Sequence, residues 1–286
     1  MSATLFHYCS SSAFASIISR KSIRLSSLSL SNDSMEGRLV TQTFDRLLSQ
    51  ATIGPEEMEI IRNAMRIAEE LFDGLGFCLS ENPDLLSQWR GYADDGHGFS
   101  IGFNKAYLIE LAKSQKDGKD GSRLGKVLYE PTEHEAALMP RYKEIKELID
   151  SGELRVPSFG LINMPGEEEM KRRRDQHLES VRTLFLKAVM TYPAAYMLKS
   201  KAFAEEVEWR LVSYLSRVTD DAALFRAAGD RLVPYREFPL KQLAAKSIEQ
   251  VYVGPKNITP DFVIQKFLAL NGFRDVSVMR SAATYR

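Results

Sequence analysis

The sequence contains few of the residues that build metal sites or disulfide frameworks. Its 286 residues include only 2 cysteines, Cys9 and Cys78, and 4 histidines, which lack the short spacings that zinc sites use. No GxGxxG, P-loop or HExxH motif is present. We therefore expect no metal, and dinucleotide redox, P-loop and zinc-protease chemistry have no support.

An excess of charge of either sign is also missing. Lys and Arg total 38, as do Asp and Glu, which argues against a protein that coats nucleic acid through phosphate contacts. The KRRR cluster at 171–174 follows three glutamates at i, i+4 spacing, so a solvated helix start is the simpler interpretation. Apolar content of 44% and charged content of 27% are typical of a soluble globular protein.

Long apolar runs are absent as well. No stretch approaches the ~20 apolar residues that cross a bilayer, and MSATLFHYCSSSAFASIISRK lacks a basic segment ahead of such a run. We expect a cytoplasmic protein without a membrane partner. The sequence has no repeats, and its length favours a single domain over 1–286, with helical insertions at about 38–73 and 133–199.

Short apolar runs alternate with amphipathic helical stretches, which predicts an α+β fold with interrupted strands. The patterns predict strands at 4–9, 23–28, 75–80, 99–103, 127–130 and 206–214, and helices at 12–20, 83–93, 133–150 and 260–271.

The segment KAFAEEVEWRLVSY (201–214) places charges at the start of a strand pattern. On a period of two, Glu206, Glu208 and Arg210 share one face. An edge strand with a charged solvent face would explain this pattern. The alternative is a functional carboxylate that a neighbouring arginine keeps ionised and oriented.

Other candidate residues lie at strand ends and in turns. Cys9 shares a face with His7, but nothing nearby in sequence activates it as a nucleophile. Trp89 and Tyr92 lie at i, i+3 spacing, which is usual in a core but would also suit the wall of a pocket for a flat ring. The candidate binding residues are His7, Tyr8, Asn32, Asp33, Glu36, Ser80, Trp89 and Tyr92.

Six short motifs occur in a fixed order: HYCS, NDSMEG, LSxxxxxxxxWRGYADDGHGFSIGF, EVEWRLV, VYVGPKN and SAATYR. In this order they resemble a bacterial family known as domain of unknown function 2971, over nearly the whole chain. One position departs from the family pattern, because Ser34 replaces the proline of its N-D-P-x-E-G loop.

The arrangement is also similar, more distantly, to the H-Y-E site of ADP-ribosyltransferases. That resemblance implies split small β-sheets around an NAD+ cleft. It implies that His7 bonds the ribose of the adenosine half, that Trp89 or Tyr92 stacks on the nicotinamide, and that Glu208, ahead of Glu206, bonds the nicotinamide ribose. Arg210 would hold Glu208 in its charged form or bind a pyrophosphate oxygen.

The function so implied is an NAD+-consuming transferase or glycohydrolase, a toxin or phage-defence effector, with NAD+ as substrate and a protein or nucleic acid as acceptor. Two alternatives stay open. One is a nucleotide-binding sensor without turnover. The other is a Mg2+-dependent nuclease that uses Asp33, Glu36, Glu206 and Glu208.

Overall fold

We describe a computed structural model of the chain over residues 4–31, 38–115, 122–157, 165–219 and 223–285. This part contains ten strands, which are β1 (Thr4–Cys9), β2 (Ser22–Ser27), β3 (Phe72–Ser80), β4 (Phe99–Asn104), β5 (Arg123–Lys126), β6 (Glu208–Ser216), β7 (Leu224–Ala228), β8 (Arg231–Pro239), β9 (Ile248–Val253) and β10 (Ser277–Arg280). Its α-helices are α1 (Ser11–Arg20), α2 (Leu39–Ser49), α3 (Pro55–Leu71), α4 (Leu86–Tyr92), α5 (Lys105–Ser114), α6 (Pro131–Asp150), α7 (Glu167–Ala195) and α8 (Asp261–Leu270).

The strands form one connected, mainly antiparallel sheet, so the fold is α+β with an open multi-stranded sheet. The main order is β10-β9-β4-β1-β3-β2-β8-β7, and β6 and β5 continue from β3 on another branch. The expectation of separate small sheets was therefore too strong, because β3 joins both groups of strands.

On one edge of β3, only a few residues pair with the neighbouring strands. β6 pairs with β3 along its whole length, whereas β1 pairs with it only through Phe6 and Ser80. β2 pairs with β3 only through Ser26 and Ser27. The gap between β1 and β2 along β3 is called the seam below.

Helices cover both faces of the sheet. One core packs α1, α5 and α8 against alternate strand residues such as Leu75, Phe77 and Leu211. A second core joins α2, α3, α6 and α7 over the opposite face, near Val212. The two predicted helical insertions thus pack on one another in a single layer.

Local sequence signals explain several helix starts. Ser10 caps α1 by accepting a hydrogen bond from the backbone N–H of Ala13 at 3.3 Å. Pro55 opens α3, and Glu57 returns its side chain to the backbone N–H of Gly54 at 2.7 Å. Asn104 ends β4 and caps α5 in the same way as Ser10 caps α1.

Two strand predictions were wrong in detail. Residues 127–130 are not a strand, because Leu128 leaves the β6 ladder to bridge Leu198, and Pro131 then begins α6. The strand predicted from 206 begins at Glu208, because Lys201–Glu206 form a 3-10 helix that ends in a left-handed turn at Val207. No helix of the described ranges has both the length and the apolar character needed to cross a bilayer.

Candidate functional site

A cleft lies where the seam meets the start of β6. The cavity has a volume of about 90 Å³ and is partly open to solvent. Its walls come from β1, β3, α4, β6 and the chain after α7, and the lining residues are His7, Tyr8, Leu28, Ser31, Cys78, Leu79, Gln88, Tyr92, Lys199, Glu206, Glu208 and Arg210.

Glu208 is the first residue of β6 and is only 5% exposed. Its carboxylate accepts two hydrogen bonds from Arg210, from Nε at 2.8 Å and from Nη2 at 2.9 Å. Lys199 Nζ adds a third contact at 3.0 Å. Burial raises the pKa of Glu208, but the charges of Arg210 and Lys199 outweigh it and lower the pKa to about 2. Glu208 is therefore ionised at neutral pH.

Glu206 reaches the same cleft by a different backbone route. It ends the 3-10 helix, and Val207 has φ 42° and ψ 53°, an uncommon conformation for a β-branched residue. Ser80 Oγ fixes this turn by donating to the carbonyl of Glu206 at 2.7 Å. The turn lets Glu206 and Glu208 face the same cleft although they are not neighbours on one regular strand.

The pKa values of the two carboxyl groups are shifted in opposite directions. Glu206 Oε2 lies 2.5 Å from Lys199 Nζ, and its Oε1 has only a long contact, 3.5 Å, from the Tyr92 hydroxyl. Burial raises the pKa of Glu206 despite Lys199, and the nearby charge of Glu208 acts in the same direction. A pair of carboxyl groups with pKa values shifted in opposite directions suits one ionised and one proton-exchanging role.

Lys199 is a site residue that the sequence patterns missed. It lies after α7, is buried, and has its position fixed by its backbone N–H, which donates to the carbonyl of Leu128 at 3.0 Å. Burial lowers the pKa of Lys199, but the charges of Glu208 and Glu206 raise it by more than burial lowers it. The ammonium therefore stays charged. The only sequence signal was a lysine in an apolar stretch shortly before an acidic cluster.

A backbone carbonyl on the side away from Glu208 fixes the position of Arg210. Arg210 is buried, and its Nη1 donates to the carbonyl of Tyr196 at 2.7 Å. The ring of Tyr196 lies across Gly74, where a Cβ atom would come within 2.1 Å of it. Gly74 thus allows Tyr196 to approach β3 and present its carbonyl to Arg210.

His7 occupies the seam. Its Nδ1 lies 2.8 Å from the carbonyl of Cys78, and its ring stacks on Phe77 with a centroid distance of 4.0 Å. A carbonyl can only accept, so Nδ1 carries the proton and Nε2 is an acceptor in the neutral ring. Burial lowers the pKa of His7 to about 4, so the ring is neutral at physiological pH.

The remaining predicted residues divide between the cleft and its support. Tyr92, which is 43% exposed, lies at the mouth of the cleft. Tyr8 lines the cleft, and its hydroxyl donates to Asn82 O and accepts from Leu85 N, both at 2.8 Å. Ser80 acts from behind through Glu206, as described above.

Trp89 does not line the cleft. It is fully buried beside Tyr8, and its Nε1 donates to Asp84 at 2.6 Å. We therefore do not assign Trp89 a stacking contact with a ligand. Tyr92 is the aromatic residue of α4 that reaches the cleft.

Three predicted residues, Asn32, Asp33 and Glu36, lie outside the described residues. Within the described ranges, no group of three or more His, Cys, Asp or Glu side chains could hold a metal ion. Glu206 and Glu208 face Lys199 and Arg210, which already neutralise them.

Gln88 and Cys78 also line the cleft without having been predicted as site residues. Gln88 belongs to α4, one turn before Tyr92, and is only 8% exposed. Cys78 lies opposite Arg210 in the β3–β6 ladder, and its thiol hydrogen-bonds Glu208. The position of Cys78 depends on strand register and that of Gln88 on the packing of α4, and sequence spacing alone reveals neither.

Residues 281–285 of the SAATYR motif bond the segments that flank α4, outside the cleft. Asp84 accepts hydrogen bonds from Ser281 Oγ at 2.5 Å and from the backbone N–H of Ala282 at 2.7 Å. Tyr285 donates to Asp95 at 2.6 Å. The distant motifs therefore meet around one helix.

Comparisons with known proteins agree with part of the expected resemblance. Neither the curated proteins nor the solved structures gave a match. A family model described as "Protein of unknown function (DUF2971)" matches residues 88–211. The matched segment is shorter than expected, but it contains Gln88, Tyr92, Lys199, Glu206 and Glu208. Over residues 88–211, which include half of the residues that line the cleft, the chain is similar to this family of unknown function.

Proposed function

We propose that the cleft binds NAD+ and cleaves its bond to nicotinamide, in the manner of an ADP-ribosyltransferase or NAD+ glycohydrolase. The observation that carries this proposal is the meeting of Glu208, His7 and Tyr92 in one cleft. These residues come from β6, β1 and α4, which are far apart in sequence. If Glu208 and His7 had lain on opposite sides of the molecule, the proposal would have failed.

The residue types suit the chemistry. The C1′–N1 bond breaks, its electron pair stays on the nicotinamide nitrogen, and positive charge develops on the ribose. Glu208 is fixed and ionised before substrate arrives, so it can stabilise that charge without reorganisation. The oxygen or nitrogen of the acceptor then bonds C1′ and loses a proton, which Glu206 in its ionised form can accept.

The other contacts have roles in binding. His7 Nε2 is an acceptor suited to a ribose hydroxyl, and the Tyr92 ring at the mouth suits the flat nicotinamide. The seam between β1 and β2 supports a resemblance to the split sheets of ADP-ribosyltransferases. A cytoplasmic toxin or phage-defence effector, with a protein or nucleic acid as acceptor, would fit this chemistry.

A chromatographic assay of nicotinamide release from NAD+ tests the proposal. We expect release by the parent protein, with and without EDTA, and a loss of ~10²-fold or more in Glu208→Gln. Glu205→Gln is the matched control, because Glu205 is exposed on the same 3-10 helix. Equal activity of Glu208→Gln and the parent would refute the assignment of Glu208.

A sensor without turnover is a second candidate, and one observation favours it. Both oxygens of Glu208 already accept hydrogen bonds from Arg210 and Lys199, as in a purely structural ion pair. NAD+ binding by the parent without any nicotinamide release would support this candidate. Cleavage of nucleic acid that EDTA abolishes, without nicotinamide release, would instead favour the magnesium nuclease.

A further inference from the structure

The side chain of Gln88 is mostly buried in the cleft wall, but its amide atoms remain accessible from the cleft. It is 8% exposed and lines the cleft, yet no hydrogen bond joins its amide to any residue of the described ranges. Neighbouring polar groups differ in this respect. Tyr8, Trp89 and Ser80 all donate to defined acceptors.

An amide that lines a cleft and has no protein partner can bond a ligand there. Buried polar side chains in proteins are almost always hydrogen-bonded, because an unsatisfied amide is costly. The Gln88 amide opens onto the cleft, so a ligand can supply what the protein does not. The amide presents one acceptor oxygen beside a donor NH2 group.

This pattern is complementary to another amide. A ligand with a C=O beside an N–H can form two parallel hydrogen bonds with Gln88, whereas a carboxylate offers acceptors only. Tyr92 lies one helical turn after Gln88, so α4 presents a flat ring and an amide side by side. Such a pair suits an aromatic heterocycle that carries a primary carboxamide.

We propose that Gln88 hydrogen-bonds the carboxamide of the nicotinamide ring. This contact would make the cleft bind nicotinamide in preference to nicotinic acid. This inference rests on the proposed function for the identity of the ligand. It adds a specificity-determining residue that contacts the leaving group, on the side of the cleft formed by α4.

Binding of matched ligand pairs tests the inference. Nicotinamide and nicotinic acid are titrated into the parent protein, and NAD+ and nicotinic acid adenine dinucleotide into Glu208→Gln, by calorimetry at pH 7. We expect the amide of each pair to bind at least ~10-fold more tightly, because a carboxylate leaves the Gln88 oxygen unpaired. Gln88→Leu should remove this preference in both pairs without lowering the melting temperature.

Ser87→Ala is the control, because Ser87 precedes Gln88 on α4 but does not line the cleft. The preference should survive in Ser87→Ala. An unchanged preference in Gln88→Leu would overturn the inference while leaving the proposed function intact. Gln88-dependent binding of nicotinamide without release from NAD+ would support the inference and refute the proposed function. Absence of binding by both nicotinamide and NAD+ would refute both.

Discussion

Glu206 and Glu208 share a single ammonium group, since Lys199 Nζ lies 2.5 Å from one carboxylate and 3.0 Å from the other. Removing this cation leaves two buried carboxyl groups facing each other. We expect Lys199→Met to lower the free energy of unfolding by about 3 kcal/mol, as measured by urea denaturation.

Lys201→Met is the matched control. Lys201 is 70% exposed in its surface ion pair with Glu130, so its loss should cost less than about 1 kcal/mol. The double variant Lys199→Met/Glu206→Gln should recover part of the lost stability, because it removes one of the two carboxylates together with the lysine that neutralised it. Equal costs for Lys199→Met and Lys201→Met would contradict the ion-pair interpretation.

The two carboxyl groups should respond to pH with opposite sign. The pKa of Glu208 is lowered in the folded protein to about 2, below its ordinary 4.5, so its contribution is complete above pH ~4.5. That contribution is lost as the pH falls towards 2. The stability difference between the parent and Glu208→Gln should therefore shrink between pH 5 and ~2 in urea titrations.

For Glu206 the folded-state pKa is raised, so ionisation opposes folding. The parent should gain stability relative to Glu206→Gln as the pH falls through the interval between the raised and the ordinary pKa values. The same trend in both variants would show that the two environments do not differ as described.

Val207 adopts a left-handed conformation that normally costs a non-glycine residue about 1–2 kcal/mol. Val207→Gly relieves this strain but increases the freedom of the unfolded chain, so we expect a net change within about 1 kcal/mol. Val212→Gly, which removes a fully buried side chain from the interior of β6, should cost more than about 2 kcal/mol. Thermal denaturation compares the two, and equal losses would refute the assigned strain.

The two cysteines should differ in alkylation. Cys78 lines the cleft and is partly accessible, whereas Cys9 is buried, which raises its pKa to about 12. Mass spectrometry after iodoacetamide treatment of the folded protein should find Cys78 modified well before Cys9. Saturating NAD+ should slow the modification of Cys78, and an unchanged rate would argue against NAD+ binding in this cleft.

The sequence predicted most elements because their local signals are strong. Short apolar runs indicated β1, β3 and β4, and the helical insertion predicted at about 38–73 contains α2 and α3. The strand prediction for residues 127–130 was wrong because the long-range bridge from Leu128 to Leu198 overrides their local strand pattern. The strand β7 was missed because it is short and mostly exposed.

The site could be predicted only in part, for a related reason. His7, Tyr92, Glu206, Glu208 and Arg210 stand at recognisable strand ends or on an amphipathic helix. Lys199 carries only a weak local signal, since its place depends on the backbone hydrogen bonds around Leu128. Trp89 and Tyr92 share one spacing pattern, and only the packing of α4 against β1 decides which of them faces the cleft.

Lys199, Glu206, Glu208 and Arg210 form a buried group of two cations and two anions whose formal charges cancel. Replacing one member by a neutral residue leaves a buried charge without a partner, whereas replacing one cation and one anion together preserves neutrality. Substitutions during divergence should therefore be correlated. Related chains that lack the lysine at position 199 should also lack an acidic residue at 206 or 208, and an alignment of relatives should show these positions changing together.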